Sequence, residues 1–106
     1  NEFNPEKIRD HLDRAVSADC LWVDPQHSHS GRDALEKNVR GFRKKFGEAR
    51  LVLASNVDGH NGRFRYDWAI KRGDEVMFRG FDVATVNDAG EIERVDGFFG
   101  ELTRTV

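Results

Sequence analysis

The second half of the chain, from Arg50 to Leu102, alternates apolar and polar residues almost throughout, which is typical of β-structure. Asn61-Gly62 is the favoured pair for a two-residue type I′ hairpin turn. Gly73-Asp74 and Asp88-Ala89-Gly90 indicate two further turns. This pattern predicts four long antiparallel strands, which run through residues 50–58, 63–71, 75–86 and 92–102.

A helix and a short strand open the chain. Asn4 can cap the helix with Pro5 at its first position, and apolar residues then recur at helical spacing to about residue 17. From Asp19 to Asp24 the sequence alternates like a strand, and Pro25 ends that strand because it has no backbone donor. We therefore predict a short amphipathic helix followed by a short strand.

The second helix has the clearest signals in the sequence. Ser30 and Asp33 match an S-x-x-D capping box, apolar residues follow at helical spacing, and Gly47 fits the position just past the helix end. Two helices are too few to cover both faces of so long a sheet, so we expect the sheet to bend around the second helix. Three glycines inside the predicted strands permit such bends or bulges: Gly80, Gly97 and Gly100.

Composition and charge narrow the classes of partner. A chain of 106 residues suffices for one small domain, which we place over residues 1–106. There are 17 Lys plus Arg residues against 19 Asp plus Glu and a net charge of −2, which lacks the basic excess of a nucleic-acid-binding protein. The lone Cys20 cannot form an internal disulfide, and no apolar run can span a bilayer, so we expect a cytoplasmic location and no membrane partner. Since the first residue is Asn, we allow for an upstream segment.

Short motifs follow one another along the chain in a characteristic order and spacing. They are Trp22-Val23-Asp24-Pro25, Gly31-Arg32-Asp33-Ala34-Leu35, His60-Asn61-Gly62, Gly80-Phe81-Asp82-Val83, Gly90-Glu91-Ile92 and Val95-Asp96-Gly97-Phe98-Phe99. Together they resemble the NTF2-like superfamily, in its SnoaL-like and ketosteroid isomerase branch. The resemblance covers Asp19 to Leu102 and implies an α+β, cone-shaped fold in which a strongly bent antiparallel sheet wraps around helices and encloses an apolar pocket.

The resemblance also implies two catalytic carboxyl groups. Asp24 occupies the position of the aspartate base that moves a proton between carbons of an enone in ketosteroid isomerases. Asp82 matches the aspartate that these enzymes keep protonated, so that it donates a hydrogen bond to the dienolate oxygen. Strand parity agrees, because Asp82 shares a face with Phe78. The alternatives are that Asp24 only forms an Asx turn before Pro25, and that Asp82 is a partly buried carboxyl bonded to backbone.

One departure from the isomerases concerns the oxyanion donor. Those enzymes carry a tyrosine on an additional first helix, and this chain has neither that helix nor a tyrosine near its start. Tyr66, the only tyrosine, lies on the aromatic parity of its strand with Trp68. It can act as a substitute donor or simply pack in the core.

Histidines and aromatic residues are the remaining candidates for a ligand pocket. His27 and His29 form an H-x-H pair that can bind a metal, move a proton at the pocket rim, or remain exposed in a loop; no third ligand has suitable spacing, and we expect no metal and no cofactor. Phe42 and Phe46 are more simply helix-to-sheet contacts. The expected pocket residues are Trp22, His27, His29, Tyr66, Trp68, Phe78 and Phe99.

The opposite parity of the same strands carries Met77, Phe81 and Phe98, which are candidates for a sheet-to-sheet homodimer interface. The function that we expect is binding of a small apolar or polycyclic compound, with cofactor-free isomerase or cyclase chemistry next to a carbonyl group. The alternatives are a non-catalytic binding or dimerisation module and an enzyme similar to the related epoxide hydrolases, whose full arginine and aspartate arrangement is not matched here.

Overall fold

The computed structural model describes residues 7–106. Within this range neither helix is long and apolar enough to cross a membrane. The described residues form two helices and seven strands. In chain order they are α1 (Ile8–Ala15), β1 (Val16–Val23), β2 (Ser28–Ser30), α2 (Arg32–Phe46), β3 (Arg50–Leu53), β4 (Asp58–His60), β5 (Arg63–Arg72), β6 (Glu75–Val86) and β7 (Ile92–Phe99).

The seven strands form one sheet in the order β2-β1-β7-β6-β5-β3, and β4 adds to β5. The expected antiparallel meander is present in β5, β6 and β7. An unexpected feature is the parallel pairing of β1 with β7, in which Trp22 lies opposite Val95 and Val23 lies opposite Asp96. This pairing places the end of β1, where Asp24 follows, beside β7 in the middle of the sheet.

Helix α2 connects the two edges of the sheet, because it follows β2 and precedes β3. Its 15 residues are about 22 Å long at 1.5 Å per residue. The five strand intervals from β2 to β3 span about 24 Å when flat. The chain must therefore cross the full width of the sheet along α2, and the sheet curves around this helix as expected.

The boundaries of α1 and β1 differ from the prediction. The helix ends at Ala15, not at residue 17, because Val16 and Ser17 are already buried residues of β1, which begins three residues before the predicted strand start. The proposed cap at Asn4 and Pro5 lies outside the described residues.

The predicted capping box at the start of α2 is wrong. Ser30 is held in β2 opposite Leu21, and the N-cap residue is Gly31, at φ 86°, with no side-chain cap. The exposed Asp33 carboxylate instead pairs with Arg9 of α1. The first turn of α2 is thus held by contacts to α1, while its predicted end at Gly47 is confirmed.

The first and last of the four predicted long strands are too long. Residues 50–58 do not form one strand, because β3 ends at Leu53. In the segment after β3, the Ser55 hydroxyl accepts a hydrogen bond from the backbone N–H of Asp67 in β5. The last strand ends at Phe99 and not at Leu102. The turn at Asn61-Gly62 is confirmed, with φ values of 49° and 76°.

The core lies between α2 and the concave face of the sheet, and it is divided into two clusters. The first consists of Val16, Cys20 and Leu35, with Leu12, Trp22 and Ile92 packed against them. The second consists of Ala49, Trp68 and Ile70, with Phe42, Phe46, Tyr66 and Phe99 packed against them. Phe42 and Phe46 are therefore helix-to-sheet contacts, as expected.

Gly80 allows the ring of Trp68 to lie directly against β6. A Cβ atom at this position would be 2.2 Å from Cζ2 of Trp68 and 2.2 Å from the backbone oxygen of Phe98. Neither neighbour can move freely, because one is a buried ring and the other is backbone of the adjacent strand. The glycine is thus required by close packing in the middle of the sheet.

We predict that Gly80→Ala lowers the free energy of unfolding by about 2–3 kcal/mol, because Trp68 or β7 must shift to admit the methyl group. Urea unfolding followed by circular dichroism measures this loss. The matched control is Gly41→Ala in α2, where a Cβ atom meets nothing within 4 Å and the free energy should rise by about 0.5–1 kcal/mol. Equal effects of the two substitutions would contradict the prediction.

Candidate functional site

Asp82 is a buried carboxyl on the concave face of β6, with 9% of its surface exposed. The indole Nε1 of Trp68 donates a hydrogen bond of 2.9 Å to its Oδ1. Burial raises the pKa of Asp82 above the ordinary value, and the negative charge of Asp24 raises it further, while the hydrogen bonds from Trp68 and Tyr66 oppose this rise. The net effect favours the protonated carboxyl group.

Tyr66 lies directly opposite Asp82 in the β5–β6 pairing, and its phenol interacts with the Asp82 carboxyl. Burial raises the pKa of Tyr66, and the charge of Asp82 raises it further. The phenol therefore keeps its proton and can donate it in a hydrogen bond. The ring of Tyr66 also packs in the second cluster, and its role as a substitute donor to a ligand stays a prediction.

Asp24 follows directly after β1 and closes an Asx turn. Its Oδ1 accepts hydrogen bonds from the backbone N–H groups of Gln26 and His27, both of 2.8 Å. The Asp24 side chain is 20% exposed. Among the described residues no hydrogen-bond donor lies on Oδ2. The Asx turn named above as an alternative is therefore present, and it fixes one oxygen while leaving the other free.

Gly97 of β7 lies between the two carboxyl groups. A Cβ atom on Gly97 would be 3.0 Å from Oδ1 of Asp82 and 3.5 Å from Cβ of Asp24. Gly97 is also the register partner of Asp82 across β6 and β7. Its position inside a strand predicts only a bend or bulge, whereas its place between Asp24 and Asp82 follows from the parallel β1–β7 pairing.

His27 and His29 stack on each other beside Asp24. Their ring centroids are 5.4 Å apart at an interplanar angle of 17°. Nδ1 of the exposed His27 is 3.4 Å from Oδ1 of Asp24, and His29 is a half-buried residue of β2 opposite Trp22. In residues 7–106, no group of three or more His, Cys, Asp or Glu side chains is placed to hold a metal ion.

The aromatic residues that we expected at the pocket lie in two places. Trp68, Phe78 and Phe99 contact one another at the second cluster, with ring centroids 5.0–6.0 Å apart. Phe78 is 42% exposed and forms an edge of this group. Trp22 packs instead against the first cluster. The carboxyl pair thus lies where the two clusters meet. Asp24 is two residues after Trp22 of the first cluster, and Asp82 accepts a hydrogen bond from Trp68 of the second.

Two surface depressions among the described residues lie elsewhere. One of about 370 Å³ is lined by Lys7, Asp10, Asp13 and Arg14, and one of about 240 Å³ lies at the start of α2. Both are open to solvent, and the residues that line the first are all charged. Neither includes Asp24 or Asp82, so the apolar pocket of the sequence analysis remains a prediction.

Comparison with known proteins shows which protein family the chain resembles. The SnoaL-like domain matches residues 2–95. The crystal structure of a candidate isomerase of the SnoaL-like family from Agrobacterium tumefaciens has 30% sequence identity and a TM-score of 0.88, covering 95% of this chain and 87% of that one. No curated protein matches the chain.

Two further structures are similar in fold. A candidate SnoaL-like polyketide cyclase from Jannaschia sp. has 10% identity and a TM-score of 0.70, covering 86% of this chain and 71% of its own. A de novo designed NTF2 fold protein has 12% identity and a TM-score of 0.71, covering 90% of this chain and 72% of its own. At these identities the likeness shows the fold alone.

We predict that Asp82→Asn changes the pH dependence of stability. The raised pKa of Asp82 means that its stabilising contribution is complete below the ordinary value of 3.8 and is lost as pH rises through the folded-state pKa. The asparagine variant has no such loss, and its amide can still accept from Trp68. Urea unfolding between pH 4 and pH 8 should therefore show the variant gaining stability relative to the wild type as pH rises.

The control for this experiment is Asp67→Asn, which removes a carboxyl group from the exposed face of the neighbouring strand β5. It measures the general effect of removing one negative charge in the same buffers. A difference between Asp82→Asn and the wild type that stays constant from pH 4 to pH 8 would show that burial of Asp82 does not shift its titration.

Proposed function

The chain belongs to the SnoaL-like family of the NTF2-like superfamily, and we propose that it binds a small apolar or polycyclic carbonyl compound and isomerises or cyclises it by acid–base chemistry without a cofactor. The observation that carries this proposal is the pair of carboxyl groups on either side of Gly97, which have unlike surroundings. The free, buried thiol of Cys20 suits the reducing cytoplasm, where we place the reaction.

Asp82 is the acid of the proposed reaction. Its burial favours the protonated form, which can donate a hydrogen bond to a carbonyl oxygen that becomes an oxyanion. Tyr66 supplies a second donor at the same point when its single O–H turns from the Asp82 carboxyl to the substrate oxygen, because its phenol also keeps its proton. Two donors in a water-poor site stabilise the developing charge more strongly than the same groups in water would.

Asp24 is the base. Oδ1 is held by two backbone N–H groups, so the carboxylate cannot rotate away, and Oδ2 can take a proton from the carbon next to the carbonyl group. The electrons of that C–H bond then form the enolate, whose oxygen receives the hydrogen bond from Asp82. Return of the proton from Asp24 to another carbon completes an isomerisation, and no oxidant or metal takes part in this sequence.

Aromatic residues of the two clusters are the proposed walls of the ligand site. Trp68, Phe78 and Phe99 supply one side and Trp22 the other, with His27 and His29 at the rim. Flat apolar ligands pack well between such rings. The relatives described as a candidate isomerase and a candidate polyketide cyclase support this class of chemistry.

We predict that Asp24→Asn lowers kcat for a β,γ-unsaturated ketosteroid by at least about 10²-fold, because the amide cannot accept the proton. Formation of the conjugated enone, followed by ultraviolet absorbance, measures the rate. Asp82→Asn should also lower kcat, and the Asp67→Asn variant should keep the wild-type rate because that carboxyl lies on the opposite face of β5.

Binding separates this proposal from the alternative of a non-catalytic module. Quenching of tryptophan fluorescence by the same steroid measures affinity in the wild type and in both variants. Tight binding without turnover in the wild type, with affinity unchanged in Asp24→Asn and Asp82→Asn, would contradict the enzymatic proposal and favour the binding module.

We further propose that the convex face of the sheet joins two copies of the chain. Phe81 and Phe98 stack there with centroids 4.7 Å apart, at an interplanar angle of 12°. Phe98 is 48% exposed and Met77 is 38% exposed, so apolar side chains of this face are in contact with water in the single chain. A two-fold sheet-to-sheet contact would bury this surface on both copies.

We predict that Phe98→Glu converts a dimer into a monomer, because two buried carboxylates would face each other across the two-fold axis. Sedimentation equilibrium or light scattering gives the molecular mass. The matched control is Leu51→Glu on β3. It also replaces an exposed apolar residue by glutamate but lies away from Met77, Phe81 and Phe98. A wild-type mass of one chain would refute the dimer.

A further inference from the structure

One buried polar atom has no role in the mechanism above. Within residues 7–106, the one buried side-chain nitrogen or oxygen without a hydrogen-bond partner is Nε2 of His29. Folded proteins satisfy nearly all such atoms, because removal from water without a partner is unfavourable. An atom of this kind needs a partner that residues 7–106 do not supply, and a bound ligand is one such partner.

His29 lies on the same side of the sheet as the carboxyl groups. It is the register partner of Trp22, which packs on the concave face against the first cluster, and paired residues of adjacent strands share a face. Its ring stacks on His27, whose Nδ1 is 3.4 Å from Asp24. His29 is thus connected to the base of the proposed reaction through one intervening ring.

The separation between His29 and Asp82 sets the size of a molecule that contacts both. Strands β6, β7, β1 and β2 are consecutive neighbours, so three strand intervals lie between the two residues. Three intervals correspond to about 14 Å across a flat sheet, which curvature shortens, and Asp82 lies a further two residues, about 7 Å, along β6 from Ala84, the residue in register with His29. A rigid molecule of several fused rings has this length, whereas a single ring does not.

We propose that Nε2 of His29 binds an oxygen atom at the end of the ligand remote from the reacting carbonyl group. The substrate class is then a fused-ring ketone that carries oxygen at both ends, and His29 is a specificity-determining residue. This inference rests on the proposed function, because it assumes that the reacting carbonyl lies at Asp82.

The chemistry of the imidazole fits either kind of remote oxygen. A neutral ring with its proton on Nε2 donates to a ketone, and the other tautomer accepts from a hydroxyl group. A site with a buried hydrogen-bonding group discriminates strongly against an analogue that lacks the matching atom, because the group is then left unpaired. The ligand without the remote oxygen should therefore bind more weakly although it has the same shape.

Two steroidal phenols test this inference without any substitution. Oestrone carries a phenol at one end and a ketone at the other, and 17-deoxyoestrone lacks the ketone; the phenol takes the place of the enolate at Asp82 and Tyr66. We expect the wild type to bind oestrone at least about tenfold more tightly, as measured by quenching of tryptophan fluorescence. Equal affinity for the two compounds would overturn the inference.

Substitutions locate the difference at His29. His29→Phe should remove the preference by weakening oestrone binding alone, and His29→Gln, whose amide can still donate, should restore part of it. The control His60→Phe changes an exposed histidine of β4 and should keep the wild-type preference. Circular dichroism confirms that each variant is folded.

The outcomes separate this inference from the proposed function. Loss of affinity for both compounds by the same factor in His29→Phe would give His29 a purely structural role and overturn the inference, while leaving the carboxyl site intact. Failure of the wild type to bind either compound would refute the proposed ligand class, and with it the role of His29. Selective loss of oestrone binding in His29→Phe supports both.

Discussion

The contact between Trp68 and Asp82 depends on Gly80 and connects the fold to the candidate site. Because Gly80 has no side chain, the indole ring lies against the backbone of β6, and Nε1 reaches the carboxyl group two residues further along the same strand. The same ring is the largest residue of the second core cluster. A buried carboxyl without such a donor would be strongly unfavourable, so core packing and the position of the acid are fixed together.

The path of the chain explains why the carboxyl groups lie between two clusters and not inside one. Helix α2 begins at one edge of the sheet and ends at the other, so its two halves pack against different strands. Leu35, near the start of α2, belongs to the first cluster, and Phe42 and Phe46, near its end, pack against the second. Polar side chains at the boundary between them are shielded from water without interrupting either cluster.

Local patterns predicted the parts of this fold that depend on neighbours in sequence. The Asn61-Gly62 turn, the bounds of β6 and the end of α2 at Gly47 all follow from such signals. The parallel pairing of β1 with β7 could not be predicted in this way, because alternation shows that a segment is a strand but not which strand lies beside it. The start of α2 was wrong for a related reason, since Arg9 competes for Asp33 from another helix.

For the candidate site, the sequence indicated residues but not how they are arranged in space. Family resemblance indicated Asp24 and Asp82, and parity indicated that Asp82 faces inward, but neither gave their separation. That information comes from Gly97, whose missing side chain lets both carboxyl groups approach β7. The sequence also could not show whether Tyr66 only packs or also forms a hydrogen bond. A tyrosine on the buried face of a strand can do either, and the residue opposite it, here Asp82, is known only from the structure.

In the proposed reaction, the coupling between the two carboxyl groups changes as the proton moves. The negative charge of Asp24 contributes to the raised pKa of Asp82, so the base itself helps to keep the acid protonated before the reaction begins. When Asp24 takes the proton from the substrate, the negative charge moves from Asp24 to the substrate oxygen, which contacts Asp82. The neutral Asp82 O–H then donates to a charged oxygen, and such a hydrogen bond is stronger than the one to the neutral carbonyl group. Two aspartates close to each other can therefore do more than two independent groups, because each stage of the proton transfer adjusts the partner that the next stage requires.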